Sequence, residues 1–288
     1  MQNDPMNVNW FPGHMTKALR TMENDLKLVD CVCELVDARI PMSSRNPALD
    51  ELLGRKPRLL LLNRSDQADP AATKRWLEYY RAKGIAALET DCRSGKNVDR
   101  FPTAVRELLK ERIAALEAKG QGTRPIRAMV VGIPNVGKSS FINKAAGRKA
   151  AAASDRPGVT RGRQWITVSR GLELLDTPGV LWPRFDDPAT GERLAFTGAV
   201  KDEILDTEEL ASHLLSLLAK IAPAILRERY KLTETEERPG WELLEESAKK
   251  RGCLIARGEA DTLRMAAILL DEFRSGKLGR LTLEEPPC

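Results

Sequence analysis

Apolar residues recur along this chain in two rhythms. From about residue 31 to residue 175, short runs of Leu, Val, Ile and Cys alternate with stretches whose apolar positions recur every three or four residues. Short apolar runs bounded by polar, Gly or Pro residues predict buried strands, and 3.6-residue recurrence predicts amphipathic helices. Strands are expected at 31–36, 59–62, 86–89, 128–131, 165–168 and 172–175. Helices are expected at 71–83, 98–119 and 138–146, with another running from about 15 toward 28. This alternation predicts a doubly wound, mostly parallel α/β sheet, with the Gly-containing stretch 119–125 as a connector inside it. Beyond about Pro188 the strand rhythm stops. Helical spacing continues at 210–219, 221–230, 241–251 and 260–275, broken at Pro223, Pro239-Gly240 and Gly258. A small all-α C-terminal domain is therefore expected, dividing the chain into 1–188 and 189–288.

Composition narrows the class only a little. The 288 residues are 42% hydrophobic and 30% charged, which excludes a disordered chain, and no run approaches the ~18 apolar residues of a membrane span. The first ten residues lack a basic segment followed by an apolar run, and the five cysteines form no CxxC pair. Together these predict a cytoplasmic protein without structural zinc or a disulfide framework. A net charge of +5 is compatible with a polyanionic partner.

The chemistry is carried by motifs. The apolar run ending at Val131 leads into Gly132-Ile-Pro-Asn-Val-Gly-Lys-Ser139, which is GxxxxGK[ST] between a predicted strand and a predicted helix. Backbone N–H groups in such a loop wrap phosphates, Lys138 offers a point charge to the β/γ oxygens, and the Ser139 hydroxyl can ligate Mg2+. Asn135, Val136, Gly137, Lys138, Ser139 and Ser140 are thus expected around a nucleotide. Two further elements follow at the distances a GTPase requires. Thr160 in Pro157-Gly-Val-Thr160 can cap Mg2+ and sense the γ-phosphate. Asp176-Thr-Pro-Gly179 supplies Asp176 to hold the metal through water and the Gly179 N–H for the γ-phosphate.

Guanine recognition normally uses an NKxD motif downstream of DxxG, and nothing after Gly179 fits. Upstream, Asn63-Arg64-Ser65-Asp66 ends a predicted strand, and Asp66 could accept both N1–H and N2–H of guanine. Asp91-Cys92-Arg-Ser-Gly95 follows the next strand as a second base loop. Read alone, the first segment could be a helix N-cap. Because the ligand crevice of an open sheet is built from strand ends in spatial order, base loops that come first in the chain and phosphate loops that come second form one site if the fold is circularly permuted.

This order, with Asn9-Trp-Phe-Pro-Gly-His-Met15 at the start and Asp271-Glu-Phe-Arg-Ser-Gly-Lys-Leu-Gly-Arg280 in the tail, resembles the YlqF/RbgA family of circularly permuted ribosome-assembly GTPases across nearly the whole chain. The resemblance implies GTP hydrolysis during large ribosomal subunit assembly, stimulated by the precursor particle and its rRNA, with no membrane role. Arg64 stands where the family usually has lysine, and Asp91-Cys92 where it usually has Asn-Ser or Ser-Ala. An arginine stem can still cover a base face, so GTP remains the expected ligand.

Val180 and Leu181 follow DxxG, so no glutamine is there to orient water. Two substitutes are in view. The resemblance implies a catalytic role for His14, whose other reading is an anchor for the N-terminal segment or an RNA contact. Asn135 resembles residues that bind K+ beside the phosphates in similar GTPases, and otherwise it stabilises its own loop. The alternative to an enzyme is a GTP-dependent RNA-binding scaffold with incidental hydrolysis. In the tail, Lys249, Lys250, Arg251, Arg257, Arg264, Arg274, Lys277 and Arg280 are candidates for phosphate contacts, partly offset by neighbouring acids. His213 is expected to be structural, and the five Trp are expected to pack rather than stack on bases.

Overall fold

The computed structural model describes residues 15–120, 124–147, 164–169, 171–177 and 187–287, and the structural statements below concern these. They form two compact units, one of residues 15–177 together with 284–287 and one of residues 187–283.

The first unit is built on six strands: β1 (Cys31–Asp37), β2 (Arg58–Asn63), β3 (Ala86–Glu89), β4 (Ile126–Gly132), β5 (Gln164–Ser169) and β6 (Leu172–Asp176). Their order is β3-β2-β1-β4-β6-β5, with every neighbouring pair parallel except β5 against β6. The expected strands are all present, each within one or two residues of its predicted ends. β1 is buried along its whole length, as a central parallel strand covered on both faces must be.

Helices α1 (Met15–Leu26) and α2 (Pro47–Leu53) bring Met22, Leu26, Leu49 and Leu53 onto Val32, Met129, Val131 and Leu175. Helix α3 (Pro70–Ala82) places Trp76 and Tyr80 over Val36, Leu60 and Leu62. Filling this layer matters: removing an aromatic ring such as that of Trp76 would cost about 3–5 kcal/mol. Helices α4 (Phe101–Leu108) and α6 (Lys138–Ala145) meet through Phe101 and Phe141, whose rings lie 4.9 Å apart and nearly perpendicular.

The single helix expected over 98–119 is two, α4 and α5 (Lys110–Ala118), interrupted at Leu109. α5 has no buried residue, so nothing in the core obliges it to continue the axis of α4. α2 escaped the periodicity reading because it is short. Its signal is local: Asn46 Oδ1 accepts from the Ala48 N–H at 3.0 Å, and Pro47 opens the first turn.

The last residues return to this unit. Glu284 accepts from the N–H groups of Met42 and Ser43 and, at 2.6 Å, from Ser43 Oγ. Trp76 Nε1 donates to the Glu284 carbonyl at 3.1 Å, and Arg75 forms a two-bonded pair with Glu285.

The second unit contains α7 (Pro188–Phe196), α8 (Thr207–Ile221), α9 (Pro223–Tyr230), α10 (Gly240–Lys250) and α11 (Thr262–Arg274). α8 buries Leu210, Leu214 and Leu218 at helical spacing. Gly240 opens α10 so close to α8 that a Cβ there would lie 1.8 Å from the Ser212 carbonyl oxygen, which excludes any other residue. Among the described residues no single helix is long and apolar enough to cross a membrane.

Charged residues tie the helices of this unit together. Glu272 on α11 is buried and accepts from Arg229, from Arg251 at 3.0 Å and from the Tyr230 hydroxyl at 2.7 Å. Arg274 donates to the Phe196 and Ala195 carbonyls and pairs with Asp202 at 2.7 Å. Lys249, Lys250 and Lys277 pair with Glu245, Glu246 and Asp271. The reading of the tail cations as phosphate contacts is thereby narrowed, since Arg251 and Arg274 are engaged in packing and the three lysines would have to exchange partners. His213 has the expected structural role, with Nδ1 2.8 Å from Glu192 and its pKa raised by that bond. Trp241 departs from the expectation of packing: it is 59% exposed.

Candidate nucleotide-binding site

Because five strands run parallel, the C-terminal ends of β3, β2, β1, β4 and β6 lie along one edge of the sheet. β1 and β4 are neighbours there: on one side of this junction β2 and β3 end in the base segments, and on the other β4 leads into the phosphate loop. This is the switch point at which open α/β sheets bind ligands.

The phosphate loop leaves β4 at Gly132, where a Cβ would sit 2.5 Å from the Leu35 carbonyl oxygen on β1. Gly137 caps α6 at a left-handed φ of 99°, and a Cβ there would lie 2.5 Å from Asn63 Nδ2. Glycine therefore serves the turn and also the approach of the base segment. Lys138, the first residue of α6, is buried, and its Nζ donates to the carbonyls of Gly132 at 3.1 Å and Ile133 at 2.7 Å. Burial pulls its pKa down to about 8, against the opposing attraction of Asp176. Ser139 follows, half-buried, whereas Ser140 is exposed. A loop of N–H groups at a helix N-terminus beside a buried lysine is suited to a polyphosphate.

The base segment is fastened to this loop. Asn63 Nδ2 donates to the Val136 carbonyl at 2.8 Å, and Arg64 Nη2 donates to the Asn135 carbonyl at 2.7 Å. Arg64 and Asn135 both adopt left-handed backbones, with φ of 60° and 57°. The amide of Asn63 is oriented from behind: its Oδ1 accepts from the Cys92 thiol at 3.0 Å. Burial pushes that thiol up to about 12, so it stays a donor and not a nucleophile. This gives the unusual Asp91-Cys92 pair a use.

Asp91 is held below the usual carboxylate range, against burial, by Ser94 and by the N–H groups of Arg93 at 2.7 Å and Ser94 at 3.1 Å. Asp66, by contrast, is raised by burial and by the negative charge of Asp91. Asp66 is not the N-cap of the following helix. That task belongs to Asp69, whose side chain accepts from the Ala72 N–H. Ser65 is buried within the segment.

At the end of β6, Asp176 is buried, and Thr177 Oγ1 donates to the Val130 carbonyl at 2.6 Å, locking the strand end onto β4. A buried carboxylate and a serine hydroxyl at the start of α6 are hard oxygen donors of the kind Mg2+ takes. His14, Thr160 and Gly179 lie outside the described residues. Motif reading missed Asp37 and Arg39 at the end of β1. Both are buried, and a charged pair at the end of a mostly apolar run was their only signal.

A strand–GxxxxGKS–helix loop at the switch point of a sheet whose base-side strands come first in the chain defines a circularly permuted P-loop GTPase domain, here followed by a helical unit. Known proteins agree. The family described as 50S ribosome-binding GTPase matches residues 127–247. Ribosome biogenesis GTPase A of Priestia megaterium is 49% identical over 98% of both chains. Solved structures of GDP-bound YlqF and of GNP-bound YlqF from T. maritima, each 27% identical, superpose with TM-scores of 0.68 and 0.65. They cover 93% and 94% of this chain, and the matches span 99% and 98% of theirs. The chain belongs to the ribosome biogenesis GTPase A (YlqF/RbgA) family and is a GTPase of large-subunit assembly.

Proposed function

We propose that guanine nucleotide lies across the ends of β3, β2, β1 and β4, with Asp66 reading the base and the loop 132–139 holding the phosphates, and that hydrolysis is stimulated by the large-subunit precursor. The observation that carries this reading is the pair of bonds from Asn63 and Arg64 to the carbonyls of Val136 and Asn135, which join two segments some seventy residues apart. Asp66 suits guanine because its carboxylate lies beside the like charge of Asp91. N1–H and N2–H donors would relieve that repulsion, and adenine offers no such pair.

Ser139 and Asp176, with Thr160 from outside the described residues, would hold Mg2+, which supplies charge neutralisation at the β/γ oxygens. Lys138 supplies a second positive charge there, and the Gly179 N–H a hydrogen bond. The side chain of Asn135 would ligate K+. His14 orients the attacking water, a role that acts on the transition state more than on bound substrate. Residues 189–288 contact rRNA through dispersed phosphate contacts, Arg257 and Arg264 among them, as a domain distinct from the GTPase domain of 1–188.

The test is turnover of GTP against ATP by the full chain, with and without large-subunit particles, in K+ and in Na+. Stimulated, GTP-selective turnover that His14→Ala slows without weakening binding is expected. Particle binding by a variant that binds GTP yet shows no stimulation would favour the scaffold reading. Asp66→Asn should weaken GTP tenfold or more and favour xanthosine triphosphate, whose extra carbonyl matches an amide donor, whereas unchanged GTP affinity would refute the base assignment.

A further inference from the structure

We propose that Asp37, which belongs to no nucleotide motif, is a positioning residue for the guanine site: it holds Arg64 in the one placement from which that side chain ties the base segment to the phosphate loop. The inference rests on the nucleotide-site reading above and concerns what makes that site rigid.

Asp37 ends β1, the strand lying between β2 and β4, and is paired in register with Asn63. It is buried, with 2% of its surface exposed. Arg39 grips it from one side: Asp37 Oδ1 accepts from the Arg39 N–H at 3.0 Å and from Arg39 Nε at 2.9 Å, and Oδ2 accepts from Arg39 Nη2 at 2.7 Å. The Asp37 N–H is also fixed, donating to Ser44 Oγ at 2.9 Å. A carboxylate held by a bidentate, buried guanidinium cannot swing. Despite burial it is kept in the charged form by Arg39 and then by Arg64.

The second cation beside it is Arg64, whose Nε lies 3.8 Å from Asp37 Oδ2 while Nη2 donates to the Asn135 carbonyl. One side chain thus spans the end of β1, the end of β2 and the loop after β4. A lysine would have to bring its one nitrogen within reach of both partners at the same point, whereas the fork of arginine meets them with separate nitrogens, Nε and Nη2. Arg64 is partly exposed, with 26% of its side chain open, so without Asp37 it has other rotamers to populate. Ordering them again would be charged against nucleotide binding. The departure from the family's usual lysine and the buried acid beneath it form one device.

The experiment is a double-mutant cycle on the full chain, reading the Kd of GDP and of a non-hydrolysable GTP analogue. Asp37→Asn keeps an acceptor for Arg39 and removes the charge beside Arg64. Affinity should fall about 3- to 10-fold for both nucleotides, with the guanine-over-xanthine preference unchanged. In an Arg64→Met background the same change should have little further effect. An equal effect of Asp37→Asn in both backgrounds, or none in the parent, overturns the proposal, because Asp37 would then serve Arg39 alone. Should Asp37→Asn fail to fold, Arg64→Lys decides: a several-fold loss of affinity supports the bridge, and unchanged affinity overturns it. Lys138→Ala separates this failure from failure of the site. If that variant loses nucleotide while Asp37→Asn does not, only the present inference falls; if it still binds nucleotide normally, the site assignment falls first.

Discussion

Charge is buried in both units of this protein, and it is used in opposite ways. At the strand ends of the sheet, Lys138 leans on the carbonyls of Gly132 and Ile133 and Asp91 on the N–H groups of Arg93 and Ser94, whereas Asp37 is held by the Arg39 guanidinium. The pKa values of Lys138 and Asp66 are displaced toward the neutral forms. In the helical unit the charges answer one another, as Glu272 does for Arg229 and Arg251, and Glu272 is displaced toward the ionised form against its burial. The first arrangement costs stability and leaves charge ready for a ligand; the second spends charge on joining helices. Substitutions should therefore separate cleanly, with binding lost from one unit and stability from the other.

The largest effect is expected at Lys138. Lys138→Ala should weaken GTP by roughly a hundredfold or more in calorimetry, since charge-assisted phosphate contacts vanish, while thermal stability of the nucleotide-free protein holds or rises. A large fall in that stability would mean that Lys138 is a structural residue and would erase the contrast.

Glu272→Ala should do the reverse. It strands a tyrosine hydroxyl and two arginines that are about one-third exposed, so the loss is set below the buried-pair range, at about 2–3 kcal/mol. Nucleotide affinity should not change. Chemical denaturation followed at Trp241, the exposed tryptophan of the helical unit, would register this.

The pH profiles should also diverge. The Lys138 pKa is near 8 in the folded protein against 10.5 when free, so its ammonium burdens the fold below about 8, and that burden lifts as pH rises toward 10.5. Nucleotide binding must restore the proton, so affinity should fall as pH rises above 8, with proton uptake visible as a buffer-dependent binding heat. Glu272 runs the other way. Its folded pKa lies below the ordinary glutamate value of 4.5, so its stabilisation is complete above 4.5 and is lost as pH falls through the folded value. Acid should loosen the helical unit, and alkali should weaken the nucleotide.

The smallest effect sharpens the comparison. The Lys249–Glu245 pair is exposed and one helical turn apart, so Lys249→Ala should cost only about 0.3–0.5 kcal/mol in a denaturation midpoint. If it also reduces particle binding at low salt, Lys249 exchanges its partner for phosphate on the ribosome.

How much could be read without coordinates follows the range over which each feature is determined. The six strands, the phosphate loop and the permuted order were legible because apolar runs and glycine spacing are local records of burial and turn geometry. The break at Leu109 and the short helix α2 were harder, since one depends on the absence of a buried face and the other on a single cap. Spacing made Asp66 a candidate base reader, but only the structure separated it from the cap, which is Asp69. The sequence by itself determined which groups are candidates for the chemistry, because GxxxxGKS, DxxG and NRSD are contiguous in the chain. Only the tertiary structure decided how they are held. The contacts of Asn63 with Val136, Cys92 with Asn63 and Asp37 with Arg64 join residues on separate strand ends that parallel register brings within reach, and that of Glu284 with Ser43 depends on the return of the last residues to the sheet unit. No periodicity records such pairings, since a side chain's partner across a sheet edge depends on which strands become neighbours.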